Sequence, residues 1–110
     1  MTNTETAVQT IVPSVDIFET PNSYVVKLDI PGAEKEKISA NIENNTLVIL
    51  ANISGYSVND NVEDVKQYRR EFALATDVDL QSVDAKYELG VLTVTLNKKQ
   101  QFLPKTITIN

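Results

Sequence analysis

The sequence of 110 residues contains no cysteine, no histidine and no tryptophan. Without cysteine there can be no disulfide, no thiolate metal site and no cysteine nucleophile. Without histidine the commonest general base and metal ligand is missing too. Carboxylates, lysine and tyrosine remain, so enzymatic chemistry is disfavoured, and no catalytic residue, metal or cofactor is expected. Glycine is scarce, at three residues, and no glycine-rich phosphate loop is present. No apolar run approaches the roughly 20 residues of a membrane span. The start, MTNTETAVQTIV, lacks the basic end and apolar stretch of a signal peptide. The expectation is a cytoplasmic protein that does not engage a membrane. The sequons Asn44-Asn45-Thr46 and Asn52-Ile53-Ser54 then carry little meaning. Ten basic against fifteen acidic residues give a net charge of −5, which disfavours nucleic acid and anionic lipid as partners.

What is present is alternation. Residues 1–12 show none, with four threonines and one glutamate, and read as a short flexible arm. From Pro13 onward short apolar runs alternate with turn signals. Val15–Glu19 is the first, closed by TPNS. Tyr24, Val26, Leu28 and Ile30 then share one face of a strand, with Val25, Lys27 and Asp29 on the other. Pro31-Gly32 breaks it. Ile38, Ala40 and Ile42 share a face of the next strand, and Asn44-Asn45 suits a tight hairpin because asparagine tolerates positive φ. Thr46–Ile53 is apolar on both faces and reads as central. Five such segments before residue 54 predict an all-β, two-sheet sandwich of the immunoglobulin-like type, and 110 residues suffice for one domain with a modest core.

The second half is less uniform. Ser54–Gln67 is polar and acidic and reads as a long loop. Val62, Val65, Tyr68 and Phe72 recur near helical spacing, with Asp60 or Asn61 as a cap, while Tyr68, Arg70, Phe72 and Leu74 also fit one face of a strand. Val83, Ala85 and Tyr87 alternate with charged residues. Leu89-Gly90 turns, and VLTVTL returns as a strand with no charge on either face. Gly90 supplies the positive φ of that turn without a Cβ penalty. The tail is polar until Ile107-Thr108-Ile109, where two β-branched residues point the same way from an extended segment.

These residues together resemble the α-crystallin domain of the small heat-shock proteins. VDIFETPNSYVVKLDIPGAEKEKISANIENNTLVI is similar to the first half of that domain and YRREFALATDVDLQSVDAKYELGVLTVTL to the second. Ala85, Gly90, Val91 and Leu92 fill the A-x-x-x-x-G-V-L signature, and Ile107 with Ile109 fills the C-terminal I-x-I motif. The resemblance implies an arm over 1–12, an α-crystallin domain over 13–99 and a tail over 100–110. It also implies a strand, not a helix, at Tyr68–Ala75. It further implies that Ile38, Ala40 and Ile42 with Val83, Ala85 and Tyr87 flank a groove for the I-x-I tail of a neighbouring subunit. The alternative for each of these six is plain core. Tyr68 and Arg70 match the dimer-interface strand, Arg70 having as its alternative an ordinary ion pair with Glu71.

The arm is shorter than the family's usual and has no phenylalanine-rich cluster. The Asn52–Tyr68 link lacks a clear strand, so the loop-strand swap of bacterial and plant members competes with edge pairing through Tyr68–Ala75. By resemblance the function is an ATP-independent holdase that binds partly unfolded clients, assembled as a homodimer or small homo-oligomer. The alternatives are a CS-domain-like adapter docking on another chaperone, and an assembly protein with little client binding. Asp77 and Asp79, or Asp60, Glu63 and Asp64, read as a turn and a solvated loop in preference to a cation site.

Overall fold

The computed structural model describes residues 5–59, 62–100 and 107–109, with side chains described for 9–53, 66–100 and 107–109. Among these there are eight strands: β1 (Glu5–Ile11), β2 (Val15–Glu19), β3 (Ser23–Asp29), β4 (Ala33–Glu43), β5 (Thr46–Asn59), β6 (Val62–Ala73), β7 (Val78–Glu88) and β8 (Val91–Lys98). They form two four-stranded sheets, ordered β1-β6-β5-β4 and β2-β3-β8-β7, which is the two-sheet sandwich the alternation predicts.

The core lies where the alternating faces meet. Val26, Leu28 and Ile30 come from β3 and its end, Leu47, Ile49 and Ala51 from β5, and Leu92, Val94 and Leu96 from β8. Every second residue of β8 is buried while Val91, Thr93 and Thr95 are half-buried on the outer face. A strand between β3 and β7 has neighbours on both sides, so its outer residues need no charge. Strand β5 holds the same position between β6 and β4. Asn44 and Asn45 take φ of 51° and 58°, the left-handed pair that a two-residue hairpin requires.

Three expectations meet a different outcome. Glu5–Ile11, expected as a flexible arm, is a strand, paired in parallel with Val62–Tyr68. Its partner is nearly sixty residues away, and no local pattern announces it. Ser54–Gln67, expected as a loop, is mostly the far half of a long hairpin: β5 runs on to Asn59 and β6 begins at Val62, with register shifts at Ile53/Tyr56 and Ser57/Asn59. Those irregularities accommodate residues that form strands poorly. Asp60 and Asn61 lie outside the described residues. Finally, β4 begins at Ala33, earlier than the Ile38–Ile42 alternation shows, because a register shift between Ala33 and Ile38 breaks the period. The choice of strand over helix for the segment containing Tyr68 agrees with the structure. Pairing with β5 from Thr46↔Ala73 to Asn52↔Gln67 outweighs the helical spacing.

The β7–β8 turn carries a local conflict. Gly90 has φ of +79°, but Leu89 beside it has φ of +50° and is fully exposed. A leucine in the left-handed region costs about 1–2 kcal/mol, and here no burial offsets it. Leu89→Asn should raise the unfolding free energy by about 0.5–1 kcal/mol, read as a higher urea midpoint at unchanged m-value.

Candidate functional site

Strands β4 and β7 are the free edges of the two sheets on one side of the sandwich. Between them runs a groove of about 250 Å³ lined by Lys35, Ile38, Ala40, Ala85, Tyr87 and Leu92. Four of the six groove residues expected from the sequence are therefore brought together. Ile42 and Val83 are half-buried and packed on the core, as are Ile38 and Tyr87, but they are not among the residues that line the groove.

The groove's geometry is held at one end by hydroxyls. Tyr87 shares its proton between the carbonyls of Ile30 and Ala33, at 3.2 and 3.1 Å. Tyr68 donates to the carbonyl of Pro31 at 2.8 Å, and the amide of Ile30 donates to the carbonyl of Gly90 at 2.9 Å. The crossover from β3 to β4 is thus tied to β6, β7 and the signature turn. A Cβ on Gly90 would lie 3.4 Å from the Cα of Pro31, an ordinary van der Waals contact, so the signature glycine is required by its positive φ of +79°. Leu92, the last signature residue, is buried at the groove floor.

Ile107 and Ile109 are 83% and 91% exposed. Neither is seated in its own chain's groove. The expected dimer-interface pair divides. Tyr68 is buried in the core with its hydroxyl satisfied. Its stretch of β6 is also no edge, since Ile11 of β1 pairs with it. Arg70 is half-buried, its guanidinium 5.6 Å from the centre of the Phe72 ring. The ion pair to Glu71 belongs to Arg69, at 2.6 Å. Successive residues of a strand face opposite ways, so Arg69 and Glu71 share the outer face while Arg70 turns in.

A second apolar cleft escaped sequence reasoning. It measures about 350 Å³ and lies between the sheets where β1 stops short, lined in part by Ile17, Tyr24, Phe72, Leu74, Val78 and Leu96. Only the 58% exposure of Ile17 on a five-residue edge strand marks it, and exposure is invisible in a sequence. Asp77 closes its end by accepting from the hydroxyl of Tyr24 at 2.9 and 3.0 Å. Asp79 accepts from the amide of Gln81 at 3.0 Å. Lys98 lies 4.9 Å from the centre of the Tyr24 ring and 3.1 Å from Glu19.

Two tests address these contacts. Tyr87→Phe leaves the groove wall but removes the donor to the crossover, and should cost about 1–2 kcal/mol of stability, measured by urea unfolding. The bond to Asp77, with burial and the nearby charge of Glu19, pushes the Tyr24 hydroxyl up to about 12 from its ordinary 10.0. The folded state therefore holds this proton more tightly, so its contribution is complete below pH 10 and is lost as pH rises from 10 to 12. Between those values the urea midpoint should fall further in the natural chain than in Tyr24→Phe.

Comparison with known proteins places this geometry. Residues 16–110 match the family model described as the Hsp20/alpha crystallin family. The 17.4 kDa class III heat shock protein of Arabidopsis thaliana is 38% identical over 109 residues, covering 86% of this chain and 70% of that one. The 22.7 kDa class IV heat shock protein of Pisum sativum is 38% identical over 96 residues, covering 76% of this chain but 46% of the relative's own length. Among solved structures, heat shock protein 16.0 from Schizosaccharomyces pombe superposes with a TM-score of 0.70 at 22% identity, over 92% of this chain and 77% of that one.

Proposed function

The chain belongs to the Hsp20/alpha crystallin family, and from that premise we propose that it is an ATP-independent holdase. It binds partly unfolded proteins through apolar grooves in the cytoplasm and limits their aggregation. The observation that carries this reading is a complementary pair within one sequence that is not joined within one molecule. An apolar groove stands open between β4 and β7 while Ile107 and Ile109 stand exposed. A second copy of the chain supplies each with its partner.

The energetics favour exchange. Burying two isoleucines gains roughly 3–6 kcal/mol gross, and ordering the tail and losing rigid-body freedom offset much of it. A single tail contact is weak, and assembly rests on several at once. Each release uncovers a groove that an extended apolar segment of a client can occupy. Contact between copies also involves Arg70, within the Arg69–Ala73 stretch of β6 that β1 leaves uncovered. The adapter reading is weaker because a docking adapter has no use for an I-x-I tail.

With a heat-labile client and no ATP, near-stoichiometric amounts of this protein should suppress light scattering. Ile107→Ala combined with Ile109→Ala should shift the protein to smaller species by multi-angle light scattering at unchanged thermal unfolding. Unchanged mass would refute docking of the tail, and unsuppressed aggregation by the folded protein would refute the holdase.

A further inference from the structure

Strand β8 outlasts the core that holds it. Leu96 is its last buried residue, followed by Asn97 and Lys98, half-buried, and then by Lys99, exposed. The regular ladders end at the same place. Pairing with β3 stops at Ser23↔Asn97, and pairing with β7 is irregular between Val83↔Leu96 and Val78↔Lys98. Past Asn97 the backbone is tied to loops at two points. The Lys98 amide donates to the carbonyl of Asn22 at 2.9 Å, and the Lys99 amide to the carbonyl of Asp77 at 2.7 Å.

Four side chains close over those two points. Asp77, whose carbonyl holds Lys99, accepts the Tyr24 hydroxyl on both carboxylate oxygens, at 2.9 and 3.0 Å. The Nζ of Lys98 lies 3.1 Å from Glu19 at the end of β2 and 4.9 Å from the centre of the Tyr24 ring. The Lys98 side chain is therefore only 11% exposed, although it stands near the end of its strand. Tyr24 serves both halves: its hydroxyl fixes the Asp77 loop and its ring lies against the Lys98 ammonium. These contacts differ in kind from those of the core. They are polar, and none of the four residues belongs to the fully buried set. Ends of elements held by a few polar contacts open at a free energy well below that of global unfolding.

We propose that Tyr24, Asp77, Lys98 and Glu19 form a clasp at the root of the tail, which opens on its own while the sandwich stays folded. With the clasp closed, the chain is held as far as Lys99. With it open, the chain is held only as far as Leu96, which adds three residues and about 10 Å to the reach of the tail. The clasp thus sets the radius within which Ile107 and Ile109 act, whatever surface they meet. It stands independently of the docking proposed above.

Amide hydrogen exchange of the full-length protein, resolved by NMR across a series of low urea concentrations, tests the clasp. Exchange at Lys98 and Lys99 should be slowed relative to unstructured peptide yet indifferent to urea, the mark of a small local opening. Val94, in the middle of β8, should exchange faster as urea rises. Tyr24→Phe keeps the ring and removes the hydroxyl, and should speed exchange at Lys99 about tenfold. Glu19→Gln weakens the more exposed half, and should speed exchange at Lys98 about two- to fivefold. In both variants exchange at Lys98 and Lys99 should stay indifferent to urea. A urea dependence at Lys98 and Lys99 equal to that at Val94 overturns the proposal, because the strand end then opens only with the sandwich. Exchange at Lys99 unchanged by Tyr24→Phe overturns it as well, as do Lys98 and Lys99 amides that exchange like unstructured peptide.

Discussion

The crossover Ile30–Ala33 is the joint on which the rest of the structure depends. There the chain leaves one sheet for the other, and a chain changing layers exposes carbonyls that no ladder can satisfy. Two tyrosine hydroxyls, from β6 and β7, take the carbonyls of Ile30, Pro31 and Ala33, and Gly90 takes the amide of Ile30. The contacts bring together residues separated by 37 to 60 positions. They fix the distance between the start of β4 and the end of β7, and the groove is no more than the space between those strands. Tyr87 thus serves as wall and as brace, which is why the groove keeps an open apolar floor without the edge strands collapsing onto it.

The same joint explains the family signature in physical terms. Gly90 adopts a positive φ in a turn whose backbone lies beside Pro31. Val91 pairs with both Asp29 and Glu88, and Leu92 forms the floor shared by core and groove. Leu89 alone is out of keeping: an apolar side chain, fully exposed, in a backbone region that suits asparagine or glycine.

Alternation made the sandwich legible wherever a strand has one buried face, as in β3, β8 and the first half of β5. Sequence reasoning was weaker where long-range pairing decides. Glu5–Ile11 is a strand because β6 offers it an edge, not because its own residues favour one, and no reading of threonines at 2, 4, 6 and 10 supplies that edge. The far half of the β5–β6 hairpin failed for a related reason, since Ser57 and Asn59 are poor strand formers held by a partner strand. At the candidate site, one face of β4 and one of β7 meet in a groove lined by Ile38, Ala40, Ala85 and Tyr87. Periodicity shows which way a side chain points but not how far along the edge an open groove extends, and Ile42 and Val83 do not line it. Tyr68 shows the same limit: a face was assigned, but whether that face meets a partner or the molecule's own core depends on the second sheet.

Exposed strand edges invite indiscriminate pairing, and a protein proposed to hold unfolding chains is the last that should aggregate with them. The free edges here are guarded. Strand β4 carries Glu34, Lys35, Glu36 and Lys37 just after its first residue, and a register shift. Strand β7 carries another between Val78 and Val83 and bears Asp79, Asp84, Lys86 and Glu88. Strand β2 is five residues long with Asp16 and Glu19 upon it. Charge and irregularity resist the docking of a flat sheet against either edge of the groove. The apolar surface is recessed between them, within reach of one extended segment at a time. Under the proposed function, selectivity for unfolded protein would follow from this recessed shape and edge charge, with no need for sequence recognition.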